Sequence, residues 1–186
     1  TEQTQRQTAE SPYGNTKIVC EDIIRDYTRA NPKIQAIALR YFNPIGAHPS
    51  ALIGELPNGI PGNLVPFLTQ TAAGIRPQLS VFGNDYNTPD GSCIRDYINV
   101  VDLAKAHVIS IGRLLDHKNE SGFEFFNVGT GNGVSVLALL NSFEKATGQK
   151  VNYKIVGRRA GDIEQIYADT TKANTVLGWK SMTTLE

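Results

Sequence analysis

The stretch IQAIALRYFNPIG, Ile34 to Gly46, decides how the chain is read. Its first nine residues are mostly apolar and of strand length, and they predict a buried strand over 34–42. Pro44 then fixes the backbone turn, and Asn43 offers two donors and an acceptor just past the strand's carboxyl end. Ligands in open α/β sheets bind at such ends, although the same residues also suit an ordinary strand exit.

Working outward, the residues before this strand predict a helix. In SPYGNTKIVCEDIIRDYTRA, Ser11 suits the cap, Pro12 the first helical position, and Asn31-Pro32 the stop. After the strand comes a Pro- and Gly-rich stretch over 43–62, expected to be irregular and long enough to be functional. NLVPFLTQTAAGI predicts a helix, LSVFG a short strand and NDYNTPDG a turn-rich loop. CIRDYINV leads into the amphipathic VVDLAKAHVISIGRLLDH, followed by the apolar strand FEFFNVG. SVLALLNSFEKATG is a helix ending at a glycine suited to the C′ position, VNYKIVG a last strand, and DTTKANTVLG a short helix. Alternating helices and apolar strands favour α/β with at least some parallel pairing.

Composition narrows the function classes. Lys+Arg and Asp+Glu both number 18, so the chain is neutral, which argues against a general nucleic-acid or acidic-membrane surface. No apolar run approaches the roughly 20 residues of a membrane span. Cys20 and Cys93 show no metal-ligand spacing and read as free thiols of a reducing compartment, with the cytoplasm as default. His48, His107 and His117 stand apart, and GxSxG, HExxH and P-loop motifs are missing. The only Met is Met182, TEQTQRQTAE is a polar lead-in expected to be loop, and Thr183 to Glu186 matches a capping box without its helix. These ends lead us to expect an internal piece of a longer protein.

Several constellations could carry chemistry. Tyr13 and Lys17, four residues apart, fall on one helix face, and an ammonium there favours the phenolate of a proton-transfer pair. On spacing alone, a surface helix start with a solvated Lys is the better reading. Asn63 of PGNLVPF marks a helix N-terminus suited to a phosphate, or simply a cap. Arg95 of CIRDY and Arg158-Arg159 of RRAGD could converge on a diphosphate, with Asp162 accepting from ribose hydroxyls. Singly, each arginine suits a surface charge, and Arg95 beside Asp96 suits a structural pair. NVGTGNGVS spaces its glycines as GxGxG, not G-x-G-x-x-G, so it reads as a turn near the substrate and not as a cofactor fingerprint.

In this order, SPYGNTK, LRYFNPIGAHPS, GIPGNLVPF, VFGNDYNTPDGSCIRDYINVVDLAKAH, FNVGTGNGVSV and RRAGDIEQIYAD closely resemble the UDP-hexose 4-epimerases of the extended short-chain dehydrogenase/reductase family. The resemblance runs from about Ser11 to Trp179 and covers the later part of the family's chain. It implies the later part of a Rossmann-like NAD(P)-binding fold plus a smaller α/β lobe for the UDP-sugar. Residues 11–43 and parts of 94–129 would belong to the Rossmann sheet, and 44–93 and 130–186 mainly to the substrate lobe. It also implies NAD as cofactor, UDP-glucose and UDP-galactose as substrates, and a homodimer for the whole protein.

By that resemblance Tyr13 would exchange the proton of the sugar 4-hydroxyl, and Lys17 would hold the nicotinamide ribose. Tyr41 and Phe42 would line the nicotinamide side, and Asn43 would hold the substrate. Asn63 and Leu64 would contact the nucleotide, and Ser80, Val81 and Phe82 would flank the uracil. Arg95 and Arg159 would clamp the diphosphate, Asp162 would meet the uridine ribose, and Ile166 would gate sugar size. The family's glycine-rich NAD turn and catalytic Ser or Thr precede SPYGNTK and are not in this sequence. The rival expectations are another sugar-nucleotide enzyme of the family, such as a 4,6-dehydratase, and a non-catalytic UDP-sugar-binding fragment.

Overall fold

The computed structural model describes residues 1–4, 9 and 11–185. Residues 5–8 and 10 of the polar lead-in, and Glu186 of the capping-box match, lie outside the described residues. Helix α1 runs Pro12–Ala30, with the Ser11 Oγ accepting from the Gly14 N–H at 3.0 Å. It ends where the backbone N–H and Nδ2 of Asn31 both donate to the Tyr27 carbonyl, at 3.0 and 2.9 Å.

Strand β1 (Ala36–Tyr41) follows, then β2 (Asn43–Ile45), α2 (Leu64–Ala72) and β3 (Leu79–Phe82). Next come β4 (Ile94–Arg95), β5 (Tyr97–Asn99), α3 (Val100–Leu115) and β6 (Phe123–Val128). β7 (Val134–Ser135), α4 (Val136–Thr147), β8 (Tyr153–Val156) and β9 (Gln165–Ile166) complete the strands and α-helices. Pairing is mostly parallel: β1 with β6, β2 with β5, β3 with β8 and β4 with β9, while β4 and β7 are antiparallel.

Two apolar clusters hold these elements. Ile98, Leu103, Ala106, Phe126 and Val128 pack with Ala173, Leu177 and Trp179, joined by Ile37 and Leu39 of β1. Leu68, Leu79, Tyr97, Leu139, Leu140 and Val151 form the second. Tyr97 and Ile98 are neighbours on β5 yet serve different clusters, because successive strand residues face opposite sides. The segment around Ala173 to Trp179 packs with β1 and β6, although its place in the sequence puts it in the expected substrate lobe.

Three expectations need correction. Among the described residues β1 pairs with β6 alone, so Ala36 to Arg40 are half-buried and Tyr41 is exposed, instead of buried on both faces. The stretch over 43–62 opens with a strand, since Asn43 to Ile45 register against Tyr97 to Asn99. The expected short helix is a π-helical turn, Ala173–Leu177. Towards the other end, the N–H groups of Thr183 and Met182 donate to the buried Asp102 carboxylate at 2.8 and 2.9 Å.

Candidate functional site

A cavity of about 400 Å³ opens between β3, β4, the start of α2 and the loop after β8. Its walls include Asn43, Leu64, Ser80, Val81, Phe82, Arg95, Arg159 and Asp162, eight of the residues expected to hold substrate. Local structure explains why they meet. Phe82 and Val156 end paired strands, so the RRAGD loop leaves β8 beside the end of β3. Arg95 faces Ile166 across the β4–β9 register, which brings the segment after RRAGD back past β4.

The arginines converge as the sequence suggested, and on a carboxylate of the chain itself. Arg159 donates to Asp162 Oδ1 through Nη2 at 2.8 Å and Nε at 3.3 Å. Arg95 Nη2 lies 3.7 Å from that same oxygen. Arg159 also stacks over the Phe82 ring, 5.4 Å from its centroid. Its guanidinium is held still more firmly protonated, first by the hydrogen bonds it donates to Asp162. Arg158 turns the other way. It donates to the Asp85 carboxylate and carbonyl at 2.8 and 2.6 Å and covers the Tyr86 ring, tying this loop to the turn over 84–91.

Arg95 makes no pair with its neighbour Asp96. Asp96 is fully buried and accepts from the N–H groups of Thr130, Gly131 and Ala168 at 2.8, 3.0 and 3.1 Å. The glycine-rich turn therefore wraps a carboxylate; none of its residues from 129 to 133 lines the cavity, but it leads into Val134, which registers against Arg95, and Val136, which is part of the wall. A Cβ at Gly129 would collide with the Asp96 carboxylate, and this close approach is what the glycine permits. Fixing Asp96 also fixes β4, and with it Arg95.

Other expected residues lie apart from this cavity. Asn63 stands at the N-cap of α2 without a side-chain capping bond. It lines a second cavity of about 340 Å³ with Pro44 and His48. Ile166 is exposed on β9 and does not line this cavity. Tyr13 is 72% exposed, and the Lys17 Nζ sits 5.0 Å from its ring centroid, over the ring face. The two thus share a helix face as expected. Tyr41 and Phe42 follow at the carboxyl end of β1, joined through one peptide bond to Asn43 in the cavity wall.

Sequence reasoning missed Cys93 and Tyr97, which line the cavity on either side of Arg95. The signal was present: positions 93, 95 and 97 alternate onto one face, while Asp96 and Ile98 are buried on the other. Burial pushes the Tyr97 phenol up to about 12, so it meets a ligand as a neutral hydroxyl. Among the described residues, no group of three His, Cys, Asp or Glu side chains could hold a metal ion, and no helix is long and apolar enough to cross a membrane.

The GDP-mannose 4,6 dehydratase family model matches residues 1–186. A UDP-glucose 4-epimerase of Cyamopsis tetragonoloba is 53% identical over 173 residues, covering 93% of this chain and 49% of that protein. The crystal structure of a UDP-glucose-4-epimerase from Stenotrophomonas maltophila, with bound NAD and formylated UDP-arabinopyranose, superposes with a TM-score of 0.93 at 47% identity. It covers 98% of this chain and 54% of its own. The epimerase of Bifidobacterium longum, in complex with NAD+ and UDP, gives a TM-score of 0.92 at 47% identity over 100% of this chain and 54% of that one. The chain thus spans about half the length of the relatives it matches, and their α/β Rossmann-like fold is its own over that half. With its whole length matched by the model, the chain belongs to the GDP-mannose 4,6 dehydratase family, and its UDP-glucose 4-epimerase members are about half identical to it.

Proposed function

We propose that this chain supplies the UDP-sugar site and the proton-transfer pair of an NAD-dependent UDP-glucose 4-epimerase, a cytoplasmic isomerase that interconverts UDP-glucose and UDP-galactose. The observation that carries this is the convergence of Arg95 and Arg159 at the wall of an apolar cavity next to Phe82. Two guanidinium groups from separate segments suit a diphosphate, and the apolar wall over Leu79 to Phe82 suits a flat base.

In this assignment Arg95 and Arg159 hold the diphosphate, Ser80, Val81 and Phe82 flank the uracil, and Asp162 meets the ribose. Leu64 and Asn63 contact the nucleotide from the start of α2, and Asn43 orients the hexose. Tyr13 takes the 4-hydroxyl proton and returns it to O4 after the 4-keto sugar has turned in the pocket, while Lys17 binds the nicotinamide ribose. Bound NAD would accept hydride from C4 and return it. The exposed rings of Tyr13 and Tyr41 fit one wall of a nicotinamide site, and the sequence carries no glycine-rich fingerprint for the remainder. The Rossmann part is then 11–43 with parts of 94–129, and the substrate lobe mainly 44–93 with 130–186. α1 leaves Ile23 and Tyr27 exposed, which suits a homodimer formed through this helix.

Calorimetric titration with UDP tests the nucleotide assignment. We expect saturable binding that weakens on the order of tenfold or more in Arg159→Ala, since charge-assisted contacts are among the strong ones. Equal binding by both forms would reject the diphosphate clamp.

A further inference from the structure

Resting on this nucleotide-site reading, we infer that Asp162 is the positioning residue of the diphosphate clamp, acting through Arg95 and Arg159 in addition to any contact with ribose. Its two carboxylate oxygens are used unequally. Oδ1 takes both Arg159 bonds, at 2.8 and 3.3 Å, and faces Arg95 at 3.7 Å. Among the described residues Oδ2 takes no hydrogen bond, which leaves it for a ligand hydroxyl.

The geometry shows what the bridge achieves. The Arg95 side chain is 17% exposed and Asp162 11%, so these two are fixed against the cavity wall. Arg159 is 57% exposed and carries a long, flexible chain. Two guanidinium groups without an anion between them repel each other, and the exposed one swings into solvent. The carboxylate holds them together before a diphosphate arrives, so binding meets a clamp that is already assembled. Phe82 supports the same pose from below, under the Arg159 guanidinium.

A role confined to ribose and a role through the arginines predict different losses. UDP and uridine titrations, followed by NMR, are compared for the chain and for Asp162→Ala, Asp162→Asn, Arg159→Ala and the Asp162→Ala/Arg159→Ala double variant. Positioning predicts that Asp162→Ala lowers the ratio of UDP to uridine affinity by about tenfold, the order expected for one charge-assisted contact. Asp162→Asn keeps the volume and one acceptor oxygen, and is expected to fall between. Once Arg159 is gone, removing Asp162 should lower the ratio of UDP to uridine affinity little further, because for the diphosphate the two act as one unit. Equal losses for both ligands, or additive effects in the cycle, would overturn the positioning role. Failure of the unaltered chain to bind UDP would overturn the nucleotide-site reading and this role with it.

Discussion

Around Arg159 the walls of the cavity come from β3, β4, α2 and the RRAGD loop, all within this chain, and its charged groups are already paired. Around Tyr13 the surroundings are different: the ring is 72% exposed, β1 has one partner strand among the described residues, and Ile23 and Tyr27 of the same helix face outward. The contrast teaches that a ligand site and a reaction site need not be complete in the same stretch of chain. On the proposed assignment the nucleotide site is complete within this chain, whereas hydride transfer also calls for a glycine-rich cofactor fingerprint that this sequence does not carry.

The contrast can be broken or sharpened by experiment, beginning with the largest effect. With UDP-galactose and NAD⁺, the 186-residue chain is expected to give no measurable turnover although it binds UDP. Rates comparable with an intact epimerase would erase the distinction between the two regions.

Stability comes next. Arg113 and Glu124 form a bidentate ion pair at 2.8 and 3.0 Å, with side chains only 10% and 5% exposed. Removing one partner leaves a buried charge unpaired, so Arg113→Ala should cost about 3–5 kcal/mol in urea unfolding. A loss below about 1 kcal/mol would mean that water reaches the pair.

The acid response is smaller. Burial alone would favour the neutral form of Asp102, but hydrogen bonds from Thr183, Met182 and Lys105 outweigh it and hold the carboxyl at about 2 against an ordinary 3.8. Its folded-state value is depressed, so its stabilisation is complete above the ordinary value and is lost as pH falls towards 2. The difference is worth roughly 2 kcal/mol. Unfolding free energies measured from pH 6 to pH 2 should fall less steeply in Asp102→Asn, which is less stable at pH 6. Parallel curves would show that the segment over 181–183 is held by other contacts.

At the other extreme, Ile23→Ser on the exposed face of α1 should change the stability of this chain by no more than about 0.5 kcal/mol. Leu140→Ala in the second cluster, where the side chain is 1% exposed, should cost about 2–5 kcal/mol. Similar values for the two would contradict the difference in burial.

Much of this was legible in the sequence because long elements carry period and punctuation. α1 begins at Pro12 and stops at Asn31, and α4 ends on Gly148 in the left-handed conformation, as their residues demand. β4, β7 and β9 have two residues each, too short for any pattern, and β2 hides a strand behind Pro44. The arginine convergence could be guessed from chemistry, whereas the partners of Asp96 and Asp102 could not. Both are buried by accepting backbone N–H groups from segments 34 to 81 residues away, and such donors have no side-chain signature.

On the proposed assignment this chain contains a complete diphosphate clamp. A crystal structure of the chain with UDP tests it most directly. The pyrophosphate should lie between the guanidinium groups of Arg95 and Arg159, with the uracil against Ser80 to Phe82. Density for UDP in the cavity beside Asn63 and His48, or anywhere away from Arg159, would contradict it.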